Sequence, residues 1–304
     1  MSPPVDLQEL EPTQTLETKT LCNLEILYNM KRSVPQSNAP PWTVFQTHVF
    51  PDIVKEKSEI VYNPIIMAPP NDLNTVYTTL KRTKEQVNFL GQSVCPIVFD
   101  MGLLTKALEI VWARPDEFKG VEPFEGGMHF MMSLFGGIGF IYGNAGLKQL
   151  LVESDVFAKN TAEHILSGKD FDRALRALLM VDEVLNRQLL FNFYRWAEQN
   201  GHTLPPIPDC GSSDDIAAAS MNIETTVVPL LNQFRTESRL VSPLFQFWDD
   251  YLLKVSLPMK LYLAASRHGL WNSCQYAKAC LLPFLFCSNR TVYARYICLT
   301  WSSE

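Results

Sequence analysis

The stretch VCPIVFDMGLLTKALEI, residues 94–110, decides the fold class of this chain. Its first half is an apolar run of the kind found in buried strands of parallel sheets. Its second half repeats apolar residues at helical spacing, which predicts a helix directly after the strand. Asp100 stands at the junction between the two. The stretch therefore predicts a buried strand that carries one carboxylate to the edge of a sheet.

The segments on either side of this stretch repeat the order of strand and helix. A short strand is predicted over residues 63–70 and a helix over 71–91, while a third, weak strand over 120–124 precedes a glycine-rich helix. This order favours parallel strands with helices on their faces. After residue 145 only helical periodicity is found. We therefore predict a predominantly helical α/β fold with a small parallel sheet of two or three strands and a large all-helical region.

The same pattern divides the chain into three parts. Residues 1–18 are polar and proline-rich, and residues 33–41 have the composition of a linker. Residues 1–40 are therefore expected to be a disordered N-terminal segment and linker, within which residues 21–30 can form a short helix. Residues 41–145 form the predicted α/β part, and residues 146–304 the helical region.

Composition restricts the partners and the location. The chain has 304 residues, a net charge of −6 and a pI near 5.5, and an acidic surface repels phosphates, so DNA binding is disfavoured. Seven cysteines include no CxxC motif, and no basic and apolar leader begins the sequence. The nearly charge-free residues 128–143 are shorter than the roughly 20 residues that span a bilayer. We expect an intracellular protein, nuclear or cytoplasmic, without signal peptide, transmembrane segment or membrane partner.

Two readings of Asp100 stay open. At the carboxyl end of a strand it is placed as a metal-binding carboxylate, but an Asp at this position also caps the helix that follows. His129 comes after the third predicted strand and can lie beside Asp100, although two ligands are too few to specify a metal site. The glycines of residues 136–146 match a nucleotide loop only weakly, and the paired acids of FWDDY, residues 247–251, are interpreted as structural.

Several longer phrases occur in a fixed order along the chain. They are PPNDLNTVYTTLK, VFDMGLLTKALEIVWARPDEF, GGMHFMMSLFGGIG, GLKQLLVESDVF, HILSGKDFDRALRA and SNRTVYARY. Taken together, over residues 40–298, they resemble a large animal family of uncharacterised, transposon-derived proteins. That family is related to a domain of unknown function thought to carry a transposase-type RNase H-like core.

The resemblance implies a particular history for the predicted site. Longer relatives carry upstream D-N-x-D and T-H-x-x-N-G phrases, and nothing like them precedes residue 40 here. An RNase H-type nuclease needs several carboxylates around two divalent metals. The resemblance therefore implies an incomplete RNase H-like core in a truncated, catalytically inactive protein. Asp100 and His129 would occupy ancestral catalytic positions, with Asp100 as the ancestral ligand of Mg²⁺ or Mn²⁺ if any activity survives.

Two other functions remain open at this stage. The chain can be a metal-dependent nuclease or transposase that works only with strands supplied by another chain, and DNA would then be its partner by ancestry. That hypothesis predicts an unpaired sheet edge through which the chain associates with itself or with another protein. Alternatively, the chain is a helical protein-interaction module.

Overall fold

The computed structural model describes residues 14–34, 37–49, 60–207 and 213–301. A 3-10 turn covers Gly143–Ala145, and π-helical turns cover Ile223–Val227 and Leu252–Ser256. The elements in chain order are α1 (Leu16–Ser33), α2 (Trp42–Val49), α3 (Leu73–Phe89), β1 (Cys95–Phe99), α4 (Met101–Ala113), β2 (Val121–Glu125), α5 (Gly127–Tyr142), α6 (Leu147–Glu153), α7 (Lys159–Leu166), α8 (Phe171–Gln199), α9 (Ser213–Asn222), α10 (Val228–Val241), α11 (Pro243–Tyr251), α12 (Leu257–His268), α13 (Trp271–Cys287) and α14 (Thr291–Trp301).

These elements divide into two units. One contains the described residues between 60 and 174 together with 285–301, and the other contains the described residues between 14 and 49 together with those between 175 and 284. We call them the sheet unit and the helical unit. The predominantly helical α/β class predicted from the sequence is confirmed.

The sheet unit is built around two parallel strands. β1 pairs with β2 so that Cys95 lies opposite Val121 and Phe99 lies opposite Glu125. Alternate residues of β1 are buried, and they pack with apolar side chains of α3 and α4 in one core cluster. The cluster includes Val76, Leu80, Cys95, Ile97, Phe99, Leu104, Ala107 and Leu108. The predicted order of strand, helix, strand and helix over residues 94–142 is thus confirmed.

The strand predicted over residues 63–70 is wrong. The described residues 60–70 contain no strand, and the apolar side chains that suggested one are exposed, at 83% for Ile65 and 94% for Met67. Pro64 begins this run, and Pro69 and Pro70 end it. Because proline has no N–H to donate, a run with three prolines pairs poorly in a sheet. Within the described residues the sheet therefore has two strands.

Glycines allow two helices of the sheet unit to approach each other closely. A Cβ on Gly139 of α5 would overlap the carbonyl oxygen of Leu166 at the end of α7. Gly168 has a φ of +74° and ends this segment, and a Cβ there would overlap the carbonyl oxygen of Met132. The glycine-rich segment thus serves backbone packing between α5 and α7.

The helical unit begins with α1. The helix expected over residues 21–30 is confirmed, and it is longer, since it runs from Leu16 to Ser33. The side chain of Thr15 accepts a hydrogen bond from the amide of Thr18 at 3.2 Å and caps its first turn. Leu24 and Leu27 are fully buried, so α1 is anchored by a continuous apolar face. Residues 1–13 of the segment expected to be disordered lie outside the described residues.

The lengths and compositions of the helices bear on the membrane expectation. Within the ranges that the structure describes, no single helix combines the length and apolar character needed to cross a bilayer. One pair of helices is long and apolar enough only when the two are taken together, and this pair bends by 83° at the break between Gly127–Ala145 and Leu147–Glu153. Several of its side chains, including Phe130, Leu134 and Ile138, are fully buried within the folded chain.

Candidate functional site at the carboxyl edge of the sheet

Asp100 lies where β1 ends and α4 begins. Its backbone is extended, with φ −69° and ψ 163°, and its Oδ1 accepts a hydrogen bond from the amide of Leu103 at 2.9 Å. The carboxylate therefore satisfies one of the free N–H groups in the first turn of α4. A negative charge at this end of a helix is also favoured by the helix dipole. Of the two roles considered for Asp100, metal ligand and helix cap, the structure shows the helix cap.

The ends of the two strands lie level with each other. The amide of Gly126 donates to the carbonyl oxygen of Phe99 at 2.7 Å, and Glu125 is buried directly before it. His129 lies in the first turn of α5, and its side chain is exposed near Gly126. The strand register therefore brings Asp100 and Glu125 to the same edge of the sheet, and α5 begins at that edge with His129 in its first turn.

A tyrosine from the last helix joins this edge. The pKa of Tyr293 on α14 is raised, first by burial and then by the carboxylates of Asp100 and Glu125, while Arg290 acts in the opposite direction. A phenol whose ionisation is disfavoured by burial and by two nearby carboxylates stays protonated at neutral pH. No role was predicted for Tyr293, because the long separation between α5 and α14 in the chain hides the contact from any local pattern.

The edge does not fit a divalent cation as it stands. Among the residues that the structure describes, no three His, Cys, Asp or Glu side chains lie close enough together to hold a metal ion. Asp100 already accepts a backbone hydrogen bond through Oδ1. We therefore derive no chemical step through a metal. The assignment of Asp100 and His129 to ancestral catalytic positions stays a prediction.

Each strand contains one proline, Pro96 as the second residue of β1 and Pro123 as the middle residue of β2. The amide of Cys95 and the carbonyl oxygen of Phe99 both bond toward β2, each at 2.7 Å. Along a parallel ladder, alternate residues bond on alternate sides, so the backbone of Pro96 points away from β2. Pro123, opposite Ile97, points away from β1 for the same reason. Since neither proline has an N–H, each outer edge of the sheet lacks one donor, at Pro96 in β1 and at Pro123 in β2.

A buried ion network in the helical unit was not foreseen from the sequence. Lys260 of α12 is 2% exposed, and its Nζ lies 2.6 Å from Glu25 Oε2 and 2.7 Å from Asp182 Oδ2. Burial lowers the pKa of Lys260, but the two carboxylates outweigh it and hold that pKa above its usual value. The rings of Tyr28 and Trp42 lie 5.6 and 5.8 Å from the same nitrogen. Lys260 is therefore a charged group enclosed by two acids and two aromatic faces.

Both carboxylates of this network also accept hydrogen bonds from other side chains. Glu25 Oε1 accepts from Trp42 Nε1 at 2.6 Å and from Gln46 Nε2 at 2.9 Å. Asp182 Oδ1 accepts from the Ser256 hydroxyl at 2.7 Å. The network borders a cavity of about 260 Å³. Because the Lys260 ammonium and both carboxylates already have partners, we assign the network to the stability of the helical unit rather than to ligand binding.

The paired acids of FWDDY also have ion-pair partners. Asp249 is 2% exposed and is contacted by Arg235 at 3.1 Å and by Arg239 at 2.6 Å. Asp250 is contacted by Arg239 at 3.0 Å and by Lys254 at 3.0 Å. Neither carboxylate is therefore available to a substrate.

We expect the cysteines to differ strongly in reactivity with iodoacetamide. Burial, and then the Glu25 carboxylate, raise the pKa of the Cys22 thiol to about 12. The thiolate is the reactive form, so about one Cys22 in ten thousand is reactive at pH 8, rising about tenfold per pH unit. Cys287 is exposed. Peptide mass spectrometry of the native protein should find Cys287 labelled well before Cys22, and equal labelling rates would contradict the raised pKa of the Cys22 thiol.

These features define a predominantly helical α/β protein with a polar edge on a two-stranded parallel sheet. A family model described as Domain of unknown function (DUF8702) matches residues 41–303, and the chain therefore belongs to that family. The match covers the sheet unit and the helical unit from residue 41 onward, so that α1 precedes the matched residues. No curated protein and no solved structure gives a significant match to the chain.

Proposed function

We propose that this chain is a catalytically inactive protein derived from a transposase-type RNase H-like core, and that its present role is to bind another protein. The ancestry rests on the ordered phrases that resemble transposon-derived proteins. It is supported by two parallel strands whose carboxyl ends bring Asp100, Glu125 and His129 to one edge. An RNase H-like ancestor would hold its metals at such an edge.

The observation that carries the loss of catalysis is the hydrogen bond from Leu103 to Asp100, at 2.9 Å. A carboxylate that caps a helix keeps its position in the fold when its metal chemistry is lost, because the cap stabilises the helix by itself. As a helix cap, Asp100 would stabilise α4 even in a protein that has no catalytic activity. Tyr293, which faces the same edge, keeps its proton and adds no further negative ligand.

The prolines argue against completion of the core by strands from another chain. An added strand beside β1 would need the N–H groups of that edge, and Pro96, the second residue of the strand, offers none. Prolines on sheet edges are one of the means by which proteins discourage such pairing. A nuclease assembled across this edge is therefore the weaker alternative. The other alternative, a helical protein-interaction module, is compatible with the proposal of an inactive core, because it describes the present role of that core.

The proposal includes an intracellular location, nuclear or cytoplasmic. It is supported by the cysteines, since the six that fall in the described ranges are all free thiols. Free thiols are typical of proteins in reducing compartments.

The test is a nicking assay on supercoiled plasmid with the full chain and added Mg²⁺ or Mn²⁺. We expect the chain, its Asp100→Ala variant and its Glu122→Ala variant to leave the plasmid equally intact. Glu122 is an exposed acid on β2 and serves as the matched control. Nicking by the unmodified chain and by Glu122→Ala, with loss in Asp100→Ala, would overturn the proposal and restore the nuclease.

A further inference from the structure

One face of α8 carries an exposed stripe in which arginines alternate with apolar side chains. Successive members are spaced by four, four, three, four and four residues, so they follow one side of the helix. Met180, Val184 and Phe191 are 47%, 55% and 56% exposed. The stripe, which we call the α8 stripe, consists of Arg176, Met180, Val184, Arg187, Phe191 and Arg195.

The charge of the α8 stripe is positive on a chain whose net charge is −6. Arg187 contacts Glu183 at 2.7 Å, and Glu183 is also contacted by Arg32 at 3.0 Å, so this acid is already shared between two cations. The Arg195 guanidinium lies 5.7 Å from the Phe191 ring and extends the apolar surface with a cation. Glu198, at the end of α8, is exposed and lies beyond the stripe.

An apolar groove of about 250 Å³ runs beside the stripe between α8 and α11. Its lining includes Leu185 and Leu189 from α8, and Phe245 and Trp248 from α11. At its rim Leu244 is 69% exposed. Gln188 and Asn192 of α8 also line the groove, and helical geometry places them between its leucines and the stripe. The stripe and the groove therefore lie on adjacent sides of α8, and exposed apolar patches rimmed by polar residues mark sites of protein interaction.

We propose that the α8 stripe and the adjoining groove bind an amphipathic helix whose apolar face is flanked by Asp and Glu. The groove would receive the apolar side chains of the partner, and Arg187 and Arg195 would pair with its acids. Nucleic acid fits poorly, because the arginines are separated by large apolar side chains that have no charge or hydrogen-bond donor for a phosphate. A membrane fits poorly as well, since surface attraction to anionic lipid takes a cluster of about four to eight basic residues.

The length of the stripe sets the length of the partner. Residues 176–195 rise by about 29 Å along the helix axis, which corresponds to a partner helix of about 20 residues. A partner helix that packs in the class with a crossing angle of about 20° would follow α8 over most of that length. This inference holds whether or not any catalysis survives at the sheet edge.

The test uses the full chain and three synthetic helical peptides of about 20 residues. All three carry the same leucine face, and the flanking positions are all Glu, all Gln or all Lys. Fluorescence anisotropy at low salt should give saturable binding of the Glu peptide, at least about tenfold tighter than the Gln peptide. The double variant Arg187→Glu with Arg195→Glu should weaken binding of the Glu peptide by at least about tenfold and favour the Lys peptide.

Two further variants test whether binding depends on the α8 stripe itself or only on the net charge of the chain. Phe191→Ser should weaken the Glu peptide, while Arg82→Glu, an exposed arginine of α3, should leave its affinity unchanged. Circular dichroism of each variant checks that the exposed substitutions keep the fold. No binding of the Glu peptide, or equal loss in Arg82→Glu, would overturn the proposal. Binding of phosphatidylserine vesicles that depends on Arg187 and Arg195, without peptide binding, would overturn it in favour of a lipid surface.

Discussion

Replacing Lys260 by methionine is expected to lower the free energy of unfolding by about 3–5 kcal/mol, because it leaves buried carboxylates without their cation. Glu25 and Asp182 lie 2.6 and 2.7 Å from the Lys260 nitrogen, and both are at most 4% exposed. Methionine fills a similar volume, so the loss is electrostatic and not a cavity effect. Urea unfolding followed by circular dichroism measures it.

The loss should depend on pH in a defined direction. Burial raises the pKa of Glu25 even with Lys260 beside it. A carboxyl whose pKa is higher in the folded state stabilises that state at low pH, and this contribution is lost as the pH rises through the folded pKa. The deficit of Lys260→Met should therefore shrink as the pH is lowered toward the usual range of a carboxyl.

Lys254→Met provides the matched control for this prediction. Lys254 lies in the π-helical turn just before α12, and its side chain is 68% exposed in its ion pair with Asp250. An exposed pair of this kind contributes at most about 1 kcal/mol. If Lys260→Met were as stable as Lys254→Met, the buried network would not hold the helical unit together.

Replacing Gly168 by alanine is the second change with a large expected effect, about 2–5 kcal/mol lower free energy of unfolding. Two costs add. The left-handed backbone, with φ +74°, is strained for any residue with a Cβ, and the new Cβ would overlap the carbonyl oxygen of Met132. Since the overlap is with backbone, α5 and the end of α7 would have to separate.

Gly91→Ala isolates the first of these costs. Gly91 has the same φ of +74° in the same unit, and a Cβ there would meet nothing within 4 Å. We expect it to lose only about 1–2 kcal/mol, the cost of the left-handed conformation. Thermal unfolding of the two variants side by side gives the difference. Equal losses would mean that the close approach of α5 and α7 does not limit the packing.

Local patterns predicted much of the sheet unit. The apolar run before Asp100 and the helical spacing after it gave β1 and α4, and the same reasoning gave β2 and α5. The failure at residues 63–70 has a local cause as well, because Pro69 and Pro70, which would end a strand here, act together with Pro64 against strand pairing. Apolar character alone did not identify a strand there, since Ile65 and Met67 remain exposed.

Long-range contacts set the limit of such predictions. Glu25, Asp182 and Lys260 come from three helices far apart in the sequence, and none of them is conspicuous in its own helix. Tyr293 likewise reaches the sheet edge from the last helix. Buried charges of this kind are accepted only when their partners converge in the folded chain, so no residue pattern within one segment reveals them.

Thermal unfolding of the chain, Asp100→Ser and Asp100→Ala, with and without Mn²⁺, tests most directly whether Asp100 serves the helix or a metal. Serine retains an N-cap acceptor but is a poor metal ligand, whereas alanine lacks both. If Asp100 is a cap, Asp100→Ser stays close to the original stability, Asp100→Ala loses about 1 kcal/mol, and Mn²⁺ affects all three alike. Stabilisation by Mn²⁺ of the unmodified chain alone, absent from both variants, would contradict this account and make Asp100 a metal ligand.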